Sequence, residues 1–141
     1  MGKVKVVFDT NVWISIFTKK TLSKEFSEIL EKELVSVYIS EEILKEITKV
    51  LFYPKIEELL NLSGVNERDI LRNITSISNF VKPKFKLKVI KEDPEDNKIL
   101  DCAMQVKVDF IISGDRHLLK LKKFRNTKIV TPREFLDIIV E

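Results

Sequence analysis

The sequence predicts an α/β fold: a mainly parallel central sheet of about five strands with helices on both faces. Three observations carry this expectation. Short apolar runs at Val4–Phe8, Val35–Ile39, Asp109–Ser113 and Lys128–Val130 read as buried strands. Segments with apolar residues at helical spacing lie between them, the pattern of parallel strands joined by helical crossovers. With 141 residues and only 3 Gly and 4 Pro, little is left for linkers, so one domain over residues 1–141 is expected.

Composition bounds the function classes. A 44% hydrophobic and 33% charged chain is globular in type. No apolar run approaches the roughly 20 residues that span a bilayer, and the amino terminus lacks a signal-peptide pattern, so a cytoplasmic location with no membrane partner is expected. Cys102 is the single cysteine, which excludes an internal disulfide and a cysteine-rich zinc site and suits a core position. A net charge of +3 is too small to imply nucleic acid by itself.

Taken in order, Val4-Lys5-Val6-Val7-Phe8 is the most valine-rich stretch and stops at Asp9. Thr10 or Asn11 can then cap a helix bearing Val12, Trp13, Ile16 and Phe17. Leu22, Phe26, Ile29, Leu30 and Leu34 mark an amphipathic helix. Val35–Ile39 alternates as a strand, and Ser40 can cap a helix with Glu41 and Glu42 in its first turn and Glu46 one turn beyond Glu42. That helix stops before Pro54. From Ile56 to Phe80 the spacing stays helical, broken at Ser63-Gly64, with a new start at Asn66 or Asp69. Lysine alternates with apolar residues across Lys82–Lys91, which suggests a loop leading into a short edge strand. The loop Glu92-Asp93-Pro94-Glu95-Asp96 opens a helix carrying Ile99, Leu100, Ala103 and Met104. After the last strand, Thr131-Pro132-Arg133-Glu134 has capping-box spacing with proline at the first helical position.

Acids recur where strands end. Asp9 follows the first strand, Asp96 heads a helix, Asp115 follows the strand ending at Ser113, and Glu46 can lean over the same edge from its helix. In open α/β sheets that carboxyl edge is where ligands bind. Gathering carboxylates is unfavourable because each disfavours ionisation of the others; a divalent cation removes that cost. Mg²⁺ and Mn²⁺ select such oxygen donors and promote phosphodiester hydrolysis. Taken singly, Asp9, Asp96 and Asp115 read equally well as caps or turn residues, and Glu46 as a solvated helix residue.

The motifs Phe8-Asp9-Thr10-Asn11-Val12, Ser40 with Glu46-Ile47, Asp93-Pro94-Glu95-Asp96-Asn97-Lys98-Ile99-Leu100 and Ser113-Gly114-Asp115 resemble, in order and spacing, those of PIN domains. The branch they match most nearly is that of the toxin subunits of prokaryotic type II toxin-antitoxin modules. The resemblance runs from Val4 to about Pro132. It implies a three-layer α/β/α sandwich, an Mg²⁺- or Mn²⁺-dependent endoribonuclease, a homodimer and an antitoxin protein as partner. It places the four catalytic acids at Asp9, Glu46, Asp96 and Asp115, with Asp9, Asp96 and Asp115 as metal ligands and Glu46 and Asp93 as further candidates. Thr10, Asn11 and Ser113 would hold carboxylates or metal waters by hydrogen bonds. In the mechanism so implied, water attacks the RNA phosphate in line and no histidine base is required. Whether Glu42 or Glu46 faces the cleft is open from the sequence.

Candidate RNA contacts are Arg116, which can grip phosphate bidentately, and the lysines Lys84, Lys86, Lys122 and Lys123; all read equally as solvated surface. His117 reads as a surface residue or a substrate contact, and Trp13 and Phe17 as core or cleft lining. A haloacid-dehalogenase-like phosphotransferase would need an acid two residues after Asp9, where Asn11 stands. A receiver-like module would carry its acceptor on a later strand. The remaining alternative is a catalytically silent PIN domain that binds RNA or a protein without cleaving.

Overall fold

The computed structural model describes residues 3–139. Six strands form one sheet: β1 (Val4–Phe8), β2 (Val35–Ser40), β3 (Ser78–Val81), β4 (Phe110–Ile112), β5 (Lys123–Phe124) and β6 (Thr127–Val130), in the order β3-β2-β1-β4-β6-β5. All neighbours run parallel except the β5–β6 hairpin. Among the described residues eight helices flank it: α1 (Thr10–Thr18), α2 (Lys20–Glu31), α3 (Glu41–Leu51), α4 (Pro54–Ser63), α5 (Glu67–Ile77), α6 (Asn97–Val106), α7 (Arg116–Leu119) and α8 (Pro132–Ile139). The result is a three-layer α/β/α sandwich. No described helix is long and apolar enough to cross a membrane.

The topology creates the site. From β1 the chain moves outward through β2 to β3, then returns through α6 to place β4 on the other side of β1. The direction of winding therefore reverses between β1 and β4. Their carboxyl ends flank a crevice of the kind that α/β sheets use for ligands.

Packing locks this arrangement. Val6 pairs with Phe110 and Phe8 with Ile112, so Phe8 and Phe110 project to one face. There Phe8 meets Trp13 edge-on at 4.8 Å and Phe26 at 5.4 Å, while Phe110 meets Phe135 of α8 at 5.4 Å. Trp13 is fully buried and thus core, with half-buried Phe17 stacked on it at 6.5 Å. Cys102 is likewise buried, and burial pushes its thiol up to about 12.

Several local expectations hold and several need correction. Ser40 Oγ accepts the Ile43 N–H, Asn66 Oδ1 accepts the Asp69 N–H, and Thr131 and Glu134 form the reciprocal capping box. Gly64 ends α4 at φ 73°, a left-handed position that glycine takes at least cost. The first helix, however, is capped neither by Thr10 nor by Asn11. Asp9 occupies the N-cap and accepts the Thr10 N–H, so Thr10 is already helical.

The helical spacing read through Phe80 stops at Ile77, and β3 follows. No strand forms at Lys82–Lys91. That segment is a strap whose backbone is held by one polar stripe of α6: Gln105 accepts the Lys84 N–H, Asp101 the Leu87 N–H, and Asn97 both the Val89 and Ile90 N–H groups. Residues four apart on a helix share a face, so side chains do here what a neighbouring strand would do. Asn97 also donates to the Ile90 and Pro94 carbonyls. In this way it ties the strap to the 3₁₀ turn Pro94–Asp96.

Candidate functional site

Asp9 leaves β1 and Asp115 follows β4, because those two strands are adjacent and parallel. Ser113 stitches them: its Oγ donates to Asp9 Oδ2 at 2.7 Å and accepts the Asp115 N–H at 2.9 Å. Asp9 Oδ1 accepts the Thr10 N–H at 2.7 Å. Asp93 and Asp96 arrive from the loop and 3₁₀ turn that the strap and Asn97 secure. Glu46 reaches the same cleft from α3.

Together Asp9, Glu46, Asp93, Asp96 and Asp115 line one cleft of about 370 Å³, with Thr10 and Asn11 on its wall. Glu42 lies elsewhere, in a hollow with Lys86 and Asp101, so Glu46 is the glutamate of the cleft. One ligand atom each from the cleft acids Asp93, Asp96 and Asp115 and from His117 lies within 4.8 Å of the others. Asp9 stands beside this compact set with both oxygens already hydrogen-bonded.

The electrostatics reflect the crowding. Burial pushes the Asp9 carboxyl above its ordinary range against the hydrogen bonds from Ser113 and Thr10, and Asp115 and Asp93 add repulsion in the same direction. Asp96 is pushed up to about 8, first by burial and then by the charges of Asp115, Asp9 and Asp93. Asp96 is 7% exposed, and its Oδ2 is buried without a hydrogen-bond partner. A carboxylate oxygen left so is costly. A bound cation would satisfy it, and carboxylates with one imidazole suit a divalent metal.

A family model described as PIN domain matches residues 5–117. The chain belongs to the PIN-domain family. Members of this family are generally nucleases. The matched stretch contains all the acids of the cleft and ends at His117, while β5, β6 and α8 of this PIN domain lie beyond it. No curated protein sequence matches the chain. Among solved structures, one similar in fold is VapBC2 from Rickettsia felis bound to a DNA fragment from their promoter. Its TM-score is 0.59 at 13% identity, covering 89% of this chain and 97% of that one.

The basic residues sort differently from the sequence expectation. Lys84 is exposed on the strap, Lys122 just before β5 and Lys123 at its first position, and Lys86 lies in the hollow with Glu42. None of the four lines the cleft. Arg116 is exposed at the start of α7. The cations that do line the cleft are Lys55 and Lys98, with Tyr53 between α3 and α4. Lys98 pairs with Glu95, and Glu95 with the more distant charges of Glu46 and Glu42 raises its pKa. Lys98 lies within the motif Asp93–Leu100 that the sequence singles out. Lys55 and Tyr53 lie in no such motif and enter only through the packing of α4 beside α1 and α3.

Proposed function

We propose that this chain is a metal-dependent endoribonuclease that hydrolyses RNA phosphodiester bonds. In this reading it is the toxin of a toxin-antitoxin pair, acting in the cytoplasm as a homodimer. One observation carries the nuclease reading: six acids, Glu95 being the sixth, line one cleft, and a buried carboxylate oxygen among them has no partner. Mg²⁺ or Mn²⁺ would be held by Asp93, Asp96 and Asp115, with Asp9 and Glu46 completing the pocket. When bound, such an ion supplies charge neutralisation and Lewis acidity toward water and phosphate.

The chain's own residues supply position. Ser113 and the Thr10 N–H fix the Asp9 carboxylate in one orientation at the cleft wall. Lys98 and Lys55 meet the phosphates of the bound strand, and the Tyr53 ring, 44% exposed at the cleft, offers a surface on which a base can stack. These contacts recognise a nucleic-acid backbone and leave the base sequence to other surfaces. The antitoxin partner rests on the motif resemblance and on the structural neighbour, VapBC2, having been captured on promoter DNA.

The test is cleavage of a pool of single-stranded and structured RNAs with Mn²⁺, Mg²⁺ or EDTA. Wild type should cleave only with metal, and Asp9→Asn and Asp96→Asn should each lower the rate by about a hundredfold or more while remaining folded. Folded wild type that binds metal and cleaves nothing in the pool would contradict general nuclease action.

A further inference from the structure

We infer that His117 is a direct ligand at this metal site and biases it toward Mn²⁺ over Mg²⁺. The inference rests on the metal-dependent reading above and adds a nitrogen donor to it. Its basis is geometric. Asp115 caps α7, and its Oδ1 accepts the His117 N–H at 2.7 Å. The cap therefore fixes the histidine beside the carboxylate it must share an ion with. Leu118, the next residue, is fully buried and anchors the short helix.

The imidazole Nδ1 is buried and has no hydrogen-bond partner. It stands 3.7 Å from Asp115 Oδ1, too far for a hydrogen bond, and a ring nitrogen of His117 lies within 4.8 Å of a carboxylate oxygen from each of Asp93, Asp96 and Asp115. Two buried polar atoms, Asp96 Oδ2 and His117 Nδ1, are thus orphaned in one cluster. One ion satisfies both. An unpartnered imidazole nitrogen is a ligand in waiting, and imidazole binds Mn²⁺ more readily than the strictly oxygen-seeking Mg²⁺.

The experiment loads the full chain with Mn²⁺ or Mg²⁺ alone. Affinities are measured by calorimetry, and pulsed electron paramagnetic resonance records ¹⁴N coupling to bound Mn²⁺. Wild type should show nitrogen coupling. In His117→Ala and His117→Gln the coupling should vanish and Mn²⁺ affinity fall by about tenfold or more, with Mg²⁺ affinity changing less. Coupling in the wild type needs no variant to fold. Mn²⁺ bound without nitrogen coupling, and with equal affinity in the variants, overturns the role of His117 and leaves the ring a neighbour of Asp115 only. Wild type that binds neither ion overturns the metal-dependent reading itself, and this inference with it.

Discussion

The two walls of the cleft are built by different means. On one wall, Asp9 and Asp115 stand at the ends of adjacent parallel strands, and the backbone ladder of β1 and β4 sets their spacing, with Asp9 N–H itself donating to the Ile112 carbonyl at 3.0 Å. On the other, Asp93 and Asp96 hang from a strap that has no ladder and is held by Asn97, Asp101 and Gln105 of α6. The first wall depends mainly on backbone groups that every residue supplies, with the Ser113 hydroxyl as its side-chain stitch. The second depends on three particular side chains, so it is the wall that single substitutions can open.

Asn97 should break the contrast most sharply. It accepts two N–H groups and donates to two carbonyls, and it is buried. Asn97→Ala leaves those groups unpaired, at about 3 kcal/mol. Hydrogen exchange at the Val89 and Ile90 amides should then quicken by about a hundredfold, with the β1 and β4 amides unchanged. Strap and sheet amides quickening together would show that the two walls open as one. Asp101→Ala removes only the bond to the Leu87 N–H at 2.8 Å. It should cost about 1 kcal/mol and show as faster exchange at Leu87 alone.

This difference also governs what could be read beforehand. Strands β1, β2, β4 and β6 are legible because strands buried on both faces appear as apolar runs, and that makes the acids after β1 and β4 legible too. β3 escaped because Ile74, Ile77 and Phe80 keep a three-residue spacing, so the strand looks like more helix. The alternation in Lys82–Lys91 suggested a pairing strand, yet the partner is a helix whose polar residues recur at 97, 101 and 105. That fourfold spacing was visible in the sequence, but its meaning depends on where α6 lies. Likewise, His117 followed a legible acid, and only the cap at Asp115 brings its ring to the cluster.

The crowding of acids on both walls has a thermodynamic signature. Because the folded pKa of Asp96 is raised from 3.8 to about 8, the native state keeps a proton that the unfolded state has lost between those values. Metal-free stability should therefore fall as pH rises from about 4 to about 8, and level off above. Asp9, raised for the same leading reason, acts in the same direction. A cation binds the ionised carboxylates and releases the proton, so its stabilisation should grow across that window.

The measurement that tests the account most directly is the thermal midpoint of wild type and Asp96→Asn at pH 7.5, with EDTA and with rising Mn²⁺. The account predicts an inversion. Asp96→Asn melts higher without metal because wild type must take up a proton at Asp96 to fold at this pH, and a neutral amide need not. Wild type gains with Mn²⁺, by about 2.7 kcal/mol at a hundred times its dissociation constant, and overtakes a variant that gains little. Wild type that melts above Asp96→Asn in EDTA and gains nothing from Mn²⁺ would contradict it, and would make the gathered acids a structural feature of the fold.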